Sequence, residues 1–332
     1  MILDSQLPII FAALMALAVV VYAILDGYDL GVGVLLPLDN EQQSDEMIAS
    51  IGPFWDANET WLVLAVGLLL IAFPEAYNLV FRELYIPAFA LLIGLILRGV
   101  AFDFRAKVHE GHKRSWDKIF KLGSVLASAA QGYMLGMYVM GFESSVSAYL
   151  FASLSALGVT CAYALIGSCW LIMKTEDELQ AKAIQWAKQC GKISFVGIVT
   201  VCVVNPLINP LVFERWTSPP YAYFLAIIPL ISFTLLFIGN AVLKRLPLKD
   251  DSGCWLPFLI TVILFICCFS GLAFSFYPWV IPQQLTIWQA ASASESLQFI
   301  LYGALFVIPC ILAYTAYSYR VFWGKVEHLR YY

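Results

Sequence analysis

The sequence predicts an all-α membrane protein, a bundle of nine transmembrane helices with the N-terminus outside and the C-terminus inside. Three observations carry this. Of the 332 residues, 61% are hydrophobic and only 13% charged, about half the charge of an ordinary soluble domain, and the mean hydropathy is +0.80. Nine stretches are apolar over the roughly 20 residues a helix needs to cross a hydrocarbon core. The basic residues fall almost wholly on alternate connections. Too few polar side chains remain to cover a watery surface, which excludes a soluble enzyme and a disordered chain. A formal net charge of -4 offers no basic field for phosphates, so no nucleic-acid partner is expected.

The chain reads as one polytopic domain over residues 1–332, and its spans follow in order. The first, 7–36, is too long for a signal peptide and has no Lys or Arg before it, Arg82 being the first base in the chain. The second, 55–80, opens at Pro53, a residue suited to the start of a helix. The third is 84–104. The fourth, 120–141, carries Ser124 and Ser128, then Gly132 and Gly136, small residues four apart that mark close helix packing. Spans 149–173, 193–213, 221–243 and 255–277 follow. Tyr277 to Gln298 holds no base but has Pro278, Trp279, Pro282 and Trp288, and reads as an interfacial stretch anchored by aromatics. The last span is 299–323. The 8 cysteines mostly sit inside apolar runs, without a C-x-x-C pair, and read as small apolar helix residues.

Orientation follows from the bases. The inward connections and tail hold Arg105, Lys107, Lys113, Arg114, Lys118, Lys121, Lys174, Lys182, Lys188, Lys192, Lys244, Arg245, Lys249, Arg320, Lys325 and Arg330. Outside lie only Arg82 and Arg215, and Arg98 sits within a span. The acidic first inward loop, Asp39 to Ile48, contributes nothing to this bias.

Ionisable groups at membrane depth are costly, and each needs a reason. Asp26 lies 18 residues beyond Pro8, roughly 27 Å from the outer entry at the helical rise; Asp29 follows one turn later. Asp56 and Glu59 occupy the first turns of the second span, entering from inside. Arg98 lies about 21 Å from the outer end of the third span, with Asp103 deeper. All six converge on the inner half of the bilayer. Helix capping is the alternative role for Asp56 and Glu59, and a neutral or Arg98-paired structural carboxyl is the alternative for Asp26 and Asp29. Five acids against one base leave most of the acids without an ion-pair partner in this chain. Carboxylates that exchange protons and open inward are what a proton-uptake route needs. Glu75 stands apart on the outer side, as an interface residue or the start of a separate path.

The three histidines, His109, His112 and His328, all fall in inward loops or the tail. With no histidine in a span, a bis-histidine haem or histidine-rich copper site within this chain is excluded, and no metal site is expected. His109 and His112 read as a solvated face. P-loop, G-x-G-x-x-G and hydrolase-elbow motifs are absent, and no complete active site is expected.

Four runs then bring a family into view. Leu25 to Gly33 (LDGYDLGVG), Gly52 to Trp61 (GPFWDANETW), Leu97 to Arg105 (LRGVAFDFR) and Tyr314 to Lys325 (YTAYSYRVFWGK) resemble subunit II of bacterial cytochrome bd-type ubiquinol oxidases. The short loops look like its cyanide-insensitive branch. The resemblance implies a partner, subunit I, of similar helix-bundle architecture that carries the b-type haems and haem d. It implies a complex in the bacterial inner membrane, with a periplasmic N-terminus and cytoplasmic C-terminus, that oxidises quinol, reduces oxygen to water and takes its protons from the cytoplasm. A structural ubiquinone in this subunit, a small accessory subunit and lipid contacts are implied as well. Carried over by motif, Asp26, Asp56 and Arg98 lie along or beside the proton route; Asp29, Glu59 and Asp103 join them as further members on the depth argument alone. Glu59 stands where many relatives have Gln. A stand-alone proton-coupled transporter using the same carboxylates is the alternative; such proteins often repeat their interrupted helices in two halves, whereas here the acids occupy one third of the chain. A purely structural assembly partner is a third reading.

Overall fold

A computed structural model describes residues 2–108, 110–248 and 251–326. The expectations placed on His109, His328, Lys249 and Arg330 lie outside the described residues. The elements, in chain order, are helices α1 (Ile2–Leu35), α2 (Glu41–Ile51), α3 (Trp55–Ala72), α4 (Pro74–Arg105), α5 (Glu110–Val139), α6 (Val146–Lys174), α7 (Asp177–Ile208), α8 (Pro210–Thr217), α9 (Tyr221–Arg245) and α10 (Leu256–Phe276). A hairpin of β1 (Trp279–Ile281) and β2 (Leu285–Thr286) leads through α11 (Ile287–Ala290) to α12 (Ser294–Val321).

Helix α6 lies at the centre, with every residue from Tyr163 to Lys174 buried. Helix α1 packs along it through glycines. A Cβ on Gly31 would stand 1.8 Å from the Tyr163 carbonyl oxygen, and one on Gly167 would stand 2.5 Å from the Gly31 carbonyl carbon. Neither helix tolerates a side chain at that crossing, which is what the glycines of the first run contribute. Gly132 and Gly136 on α5 likewise face the α6 backbone closely. Helix α12 is the opposite case. Its only buried residues are Leu297 and Ile308.

Hydrogen bonds tie each end of the bundle. At the basic end, Lys174 donates to the carbonyls of Phe322 (2.6 Å) and Gly324 (3.1 Å), Val326 N–H donates to Lys174 O (2.9 Å), and Lys325 pairs with Asp251. At the other end, Ser292 N–H donates to Ala72 O (2.9 Å), and Arg215 donates to the C-terminal carbonyls of α10, Phe274 among them (3.0 Å). The stretch Tyr277 to Gln298, expected to be interfacial, folds here as the hairpin, α11 with its Thr286–Gln289 capping box, and the first turns of α12.

Eight helices among the described residues are long and apolar enough to cross a membrane, so the chain is a multi-pass membrane protein. Helix α5, over which a ninth span was expected at 120–141, is helical through Val139 but less apolar. Its Ser124 and Ser128 hydroxyls bond back to Phe120 O and Ser124 O, and its sides pack on α4 and α6. Several boundaries differ from expectation. The second span ends at Ala72 rather than 80, because Pro74 has no N–H to continue the ladder and starts α4 at its first position. Glu75 therefore belongs to the first turn of α4. The span placed at 193–213 begins at Asp177 and ends at Ile208. There Asn209 caps α8, accepting from Leu211 N–H and Val212 N–H, and Pro210 follows at the first position.

Candidate functional site

Among the described residues, a buried charge cluster grows from three helices. Helix α1 presents Asp26 and Asp29 on one face, one turn apart. Helix α3 presents Asn58 and Glu59 a turn after its start at Trp55. Helix α4 presents Arg98, brought close to α5 because Gly94 carries no Cβ; one there would lie 2.8 Å from Ala127 N. Arg98, Asp26 and Asp29 are each 0% exposed.

Arg98 Nη1 donates to Asp26 Oδ1 at 2.6 Å and lies 3.2 Å from Glu59 Oε1; Arg98 Nη2 lies 3.8 Å from Asp29 Oδ2. The guanidinium also stands 5.8 Å from the centre of the Trp55 ring. One fixed cation thus faces three carboxylates. Burying an unpaired ion costs several kcal/mol, so the cluster holds full negative charge on all three only at high cost, and a proton shared among them relieves it. Arg98 itself stays charged and cannot relay a proton. Asp26 Oδ2, Asp29 Oδ1 and Arg98 Nε find no hydrogen-bond partner among the described residues. The two carboxylate oxygens are positions at which the cluster can still take or give a proton.

Two expected members stand elsewhere. Asp56 is exposed in the first turn of α3, and Asp103 is exposed on α4. The convergence of all six groups therefore reduces to a buried core of Asp26, Asp29, Glu59 and Arg98, with Asp56 and Asp103 on the outer face of the same helices. Glu59, with its side chain 25% exposed, links the two sets. Its place against Arg98 sets aside the capping role for Glu59, while Asp56 keeps a first-turn position that suits one.

Neutral residues complete the site, and charge-based reading missed them. Asn58 Nδ2 donates to Asp29 Oδ2 at 2.7 Å and to Tyr28 OH at 3.0 Å. The Tyr28 and Tyr319 hydroxyls are 2.6 Å apart, and Tyr319 OH donates to Asn58 Oδ1 at 3.4 Å. On the other side of Asp26, Gln131 Nε2 donates to Tyr22 OH (2.8 Å) and Tyr163 OH donates to Gln131 Oε1 (2.7 Å). The W-D-x-N spacing, with Asn58 one position before Glu59, was the available signal for Asn58.

A second network lies at the basic end, outside the membrane-spanning segments except for Arg105, which ends α4. Arg105 Nε donates to Asp117 Oδ1 at 2.5 Å, and Arg105 Nη1 pairs with Asp45 at 2.6 Å. Lys113 lies 3.3 Å from both Glu41 and Asp45. Burial pushes the Asp117 carboxyl above its ordinary range, with Arg105 pulling it back. Burial would lower Lys113, but Asp45 and Glu41 outweigh it and hold the ammonium above its usual value. The network pins α2 to the start of α5.

Of the histidines, His112 is described and stands exposed at the start of α5. The membrane-spanning helices offer no histidine, so the donor set of the described residues does not fit a histidine-ligated haem. A groove of about 280 Å³ between α6, α10 and α12 is lined by Trp170, Phe258, Leu259, Val262 and Trp323.

The sequence matches the family described as cytochrome bd terminal oxidase subunit II over residues 7–322. It is 26% identical to the cytochrome bd-I ubiquinol oxidase subunit 2 of Escherichia coli (strain K12), covering 96% of this chain and 95% of that one. It is 29% identical to the cytochrome bd ubiquinol oxidase subunit 2 of Bacillus subtilis (strain 168), covering 95% of each. In fold it is similar to a chain of the bd oxidase from Geobacillus thermodenitrificans, with a TM-score of 0.73 at 18% identity over 93% of this chain and 97% of that one. A stand-alone transporter is not favoured by these matches.

Proposed function

The chain belongs to the cytochrome bd terminal oxidase subunit II family, and from that premise we propose that it supplies a cytoplasmic proton-uptake route to a quinol-oxidising, oxygen-reducing complex in the bacterial inner membrane. Nine spans, α5 among them packed against α4 and α6, with a periplasmic N-terminus and the basic end in the cytoplasm, are the topology this reading uses. The partner is subunit I, of similar helix-bundle architecture, and haem b and haem d belong to it. When bound there, the haems supply the electron transfer and oxygen chemistry. This chain moves and holds protons.

The observation that carries the reading is the single guanidinium shared by three carboxylates at membrane depth. Asp26 and Asp29 are the buried stations, exchanging a proton under the fixed field of Arg98. Glu59, 3.2 Å from Arg98 and partly exposed, passes it between that core and Asp56, which hands over to the partner. Asp103, exposed on α4, lines the same face. The structural ubiquinone that the resemblance implies would find apolar surface in the groove beside Phe258, Leu259, Val262 and Trp323. A small accessory subunit would sit on the remaining lipid-facing surface.

Replacement of the stations tests this. Asp26→Asn and Asp56→Asn should each lower quinol-driven oxygen consumption at least tenfold, the scale of one lost proton-transfer group, while haem content and complex yield stay unchanged. Full turnover in both variants rejects the route. Loss of assembled complex, with normal turnover of what remains, supports the structural-partner reading instead.

A further inference from the structure

We infer that Tyr319, reaching in from α12, is a positioning residue for the buried acid cluster: with Tyr28 it closes a ring of hydrogen bonds that fixes the Asn58 amide with its N–H toward Asp29. The inference rests on the reading of Asp29 as a member of the proton route.

Counting protons gives the ring one consistent direction. A carboxylate accepts only, so the Asn58 group 2.7 Å from Asp29 Oδ2 is the amide nitrogen. Its second N–H goes to Tyr28 OH at 3.0 Å, with the Leu25 carbonyl at 3.4 Å as a longer second acceptor on the same side. Tyr28 has then accepted, and its own proton is free for Tyr319 OH at 2.6 Å. Tyr319 in turn donates to Asn58 Oδ1 at 3.4 Å. Each hydroxyl gives one proton and receives one, and the amide oxygen, which would otherwise have no donor there, is engaged. The ring resists turning the amide over. A protonated Asp29 would prefer the turned amide, because its O–H seeks Oδ1 rather than an N–H. Tyr319 therefore sets how readily Asp29 keeps its proton, without touching Asp29.

The aromatic frame holds the hydroxyl in place independently of that bond. The Tyr319 ring stacks on Phe54 at 4.6 Å and meets the edge of Trp170 at 6.1 Å; Tyr28 stacks on Trp170 at 4.2 Å. Removing only the hydroxyl leaves these contacts. The groups that face Asp29 from the surrounding elements are Asp26 and Tyr28 on α1, Asn58 and Glu59 on α3, Arg98 on α4 and Tyr319 on α12. Tyr319→Phe alters only the last of them.

The test uses the assembled oxidase. Tyr319→Phe and Tyr28→Phe should each move the pH profile of oxygen consumption to higher pH by about half a unit or more, the size of one net hydrogen bond, with the KM for quinol unchanged. In infrared difference spectra, the C=O stretch of the protonated carboxyl that disappears in Asp29→Asn should shift in both variants. A pH profile and carboxyl band that both superimpose on the parent overturn the inference, whatever happens to yield or thermal stability. If Asp29→Asn turns over fully, Asp29 leaves the proton route, and the carboxyl band alone then decides the positioning role: a shift sustains it and no shift ends it.

Discussion

At Arg98, what a substitution leaves behind sets its cost. Arg98→Gln strands Asp26 and Asp29, both 0% exposed, and breaking a buried pair from one side costs about 3–5 kcal/mol. We expect a marked drop in the unfolding midpoint of the purified complex, and partial recovery when Asp26→Asn is added, because one stranded charge is then gone. A double variant no more stable than Arg98→Gln would refute the shared-cation picture. Arg98→Lys should not substitute fully, since an ammonium lacks the planar fork that reaches Asp26 and Glu59 together. The level of this cluster was legible from helical rise alone, but its membership was not. Rise fixes depth and says nothing of direction around the helix. Asp103 is five residues past Arg98, a rotation of about 140° at 3.6 residues per turn, and so it faces outward while Arg98 faces α1. Asn58 and Tyr319 carry no charge to mark them, and Tyr319 is 261 positions away from Asn58 in sequence.

Among elements, the crossing of α1 and α6 is the one a single methyl group would disturb most plainly. Gly31→Ala places a Cβ 1.8 Å from the Tyr163 carbonyl oxygen, a clash with backbone that no rotamer relieves. Overpacking of this kind costs about 1–3 kcal/mol, and the displacement of α1 would carry Asp26 and Asp29 with it. Gly197→Ala on α7 is the control. Nothing lies within 4 Å of that added carbon, so the helix gains about 0.5–1 kcal/mol of propensity. Thermal melts of the complex should place the two variants on opposite sides of the parent; equal melting points would mean that α1 and α6 are not held at that distance. The glycine-rich run announced the crossing in the sequence, although not its partner helix. Other element features were written there and hidden by a competing signal. The first half of α7 buries Leu179, Ala183 and Ala187 at four-residue spacing, a helical stripe obscured by Lys182, Lys188 and Lys192, which read as a loop. Pro74 and the Asn209–Pro210 pair are ordinary helix-start signals that a search for unbroken apolar length passes over.

For the whole molecule, the decisive question is what covers the outer face of α3 and α4. Along it, Asp56, Thr60 and Asp103 are exposed beside Val63 (72%), Ile86 (64%) and Ile96 (63%). Apolar side chains alone would suit lipid. Carboxylates suit it less, at up to about 2.5–3.5 kcal/mol each at the centre of a span and less toward its ends, where Asp56 and Asp103 lie, and the polar part of this face is better matched by protein. The sparsely buried α12 is the second surface in want of a neighbour. Two carbodiimides of different solubility separate the possibilities. If lipid lies on the face, a lipid-soluble carbodiimide reaches Asp56 and Asp103 in the assembled complex quickly. If the partner subunit covers it, both that reagent and a water-soluble one modify these two residues at least tenfold more slowly than the water-soluble one modifies Glu178, whose side chain is 73% exposed. We expect the second pattern, read by peptide mass mapping. Rapid labelling of Asp56 by the lipid-soluble reagent would remove it from the hand-over to subunit I and leave the buried core of Asp26, Asp29, Glu59 and Arg98 without an exit on that side.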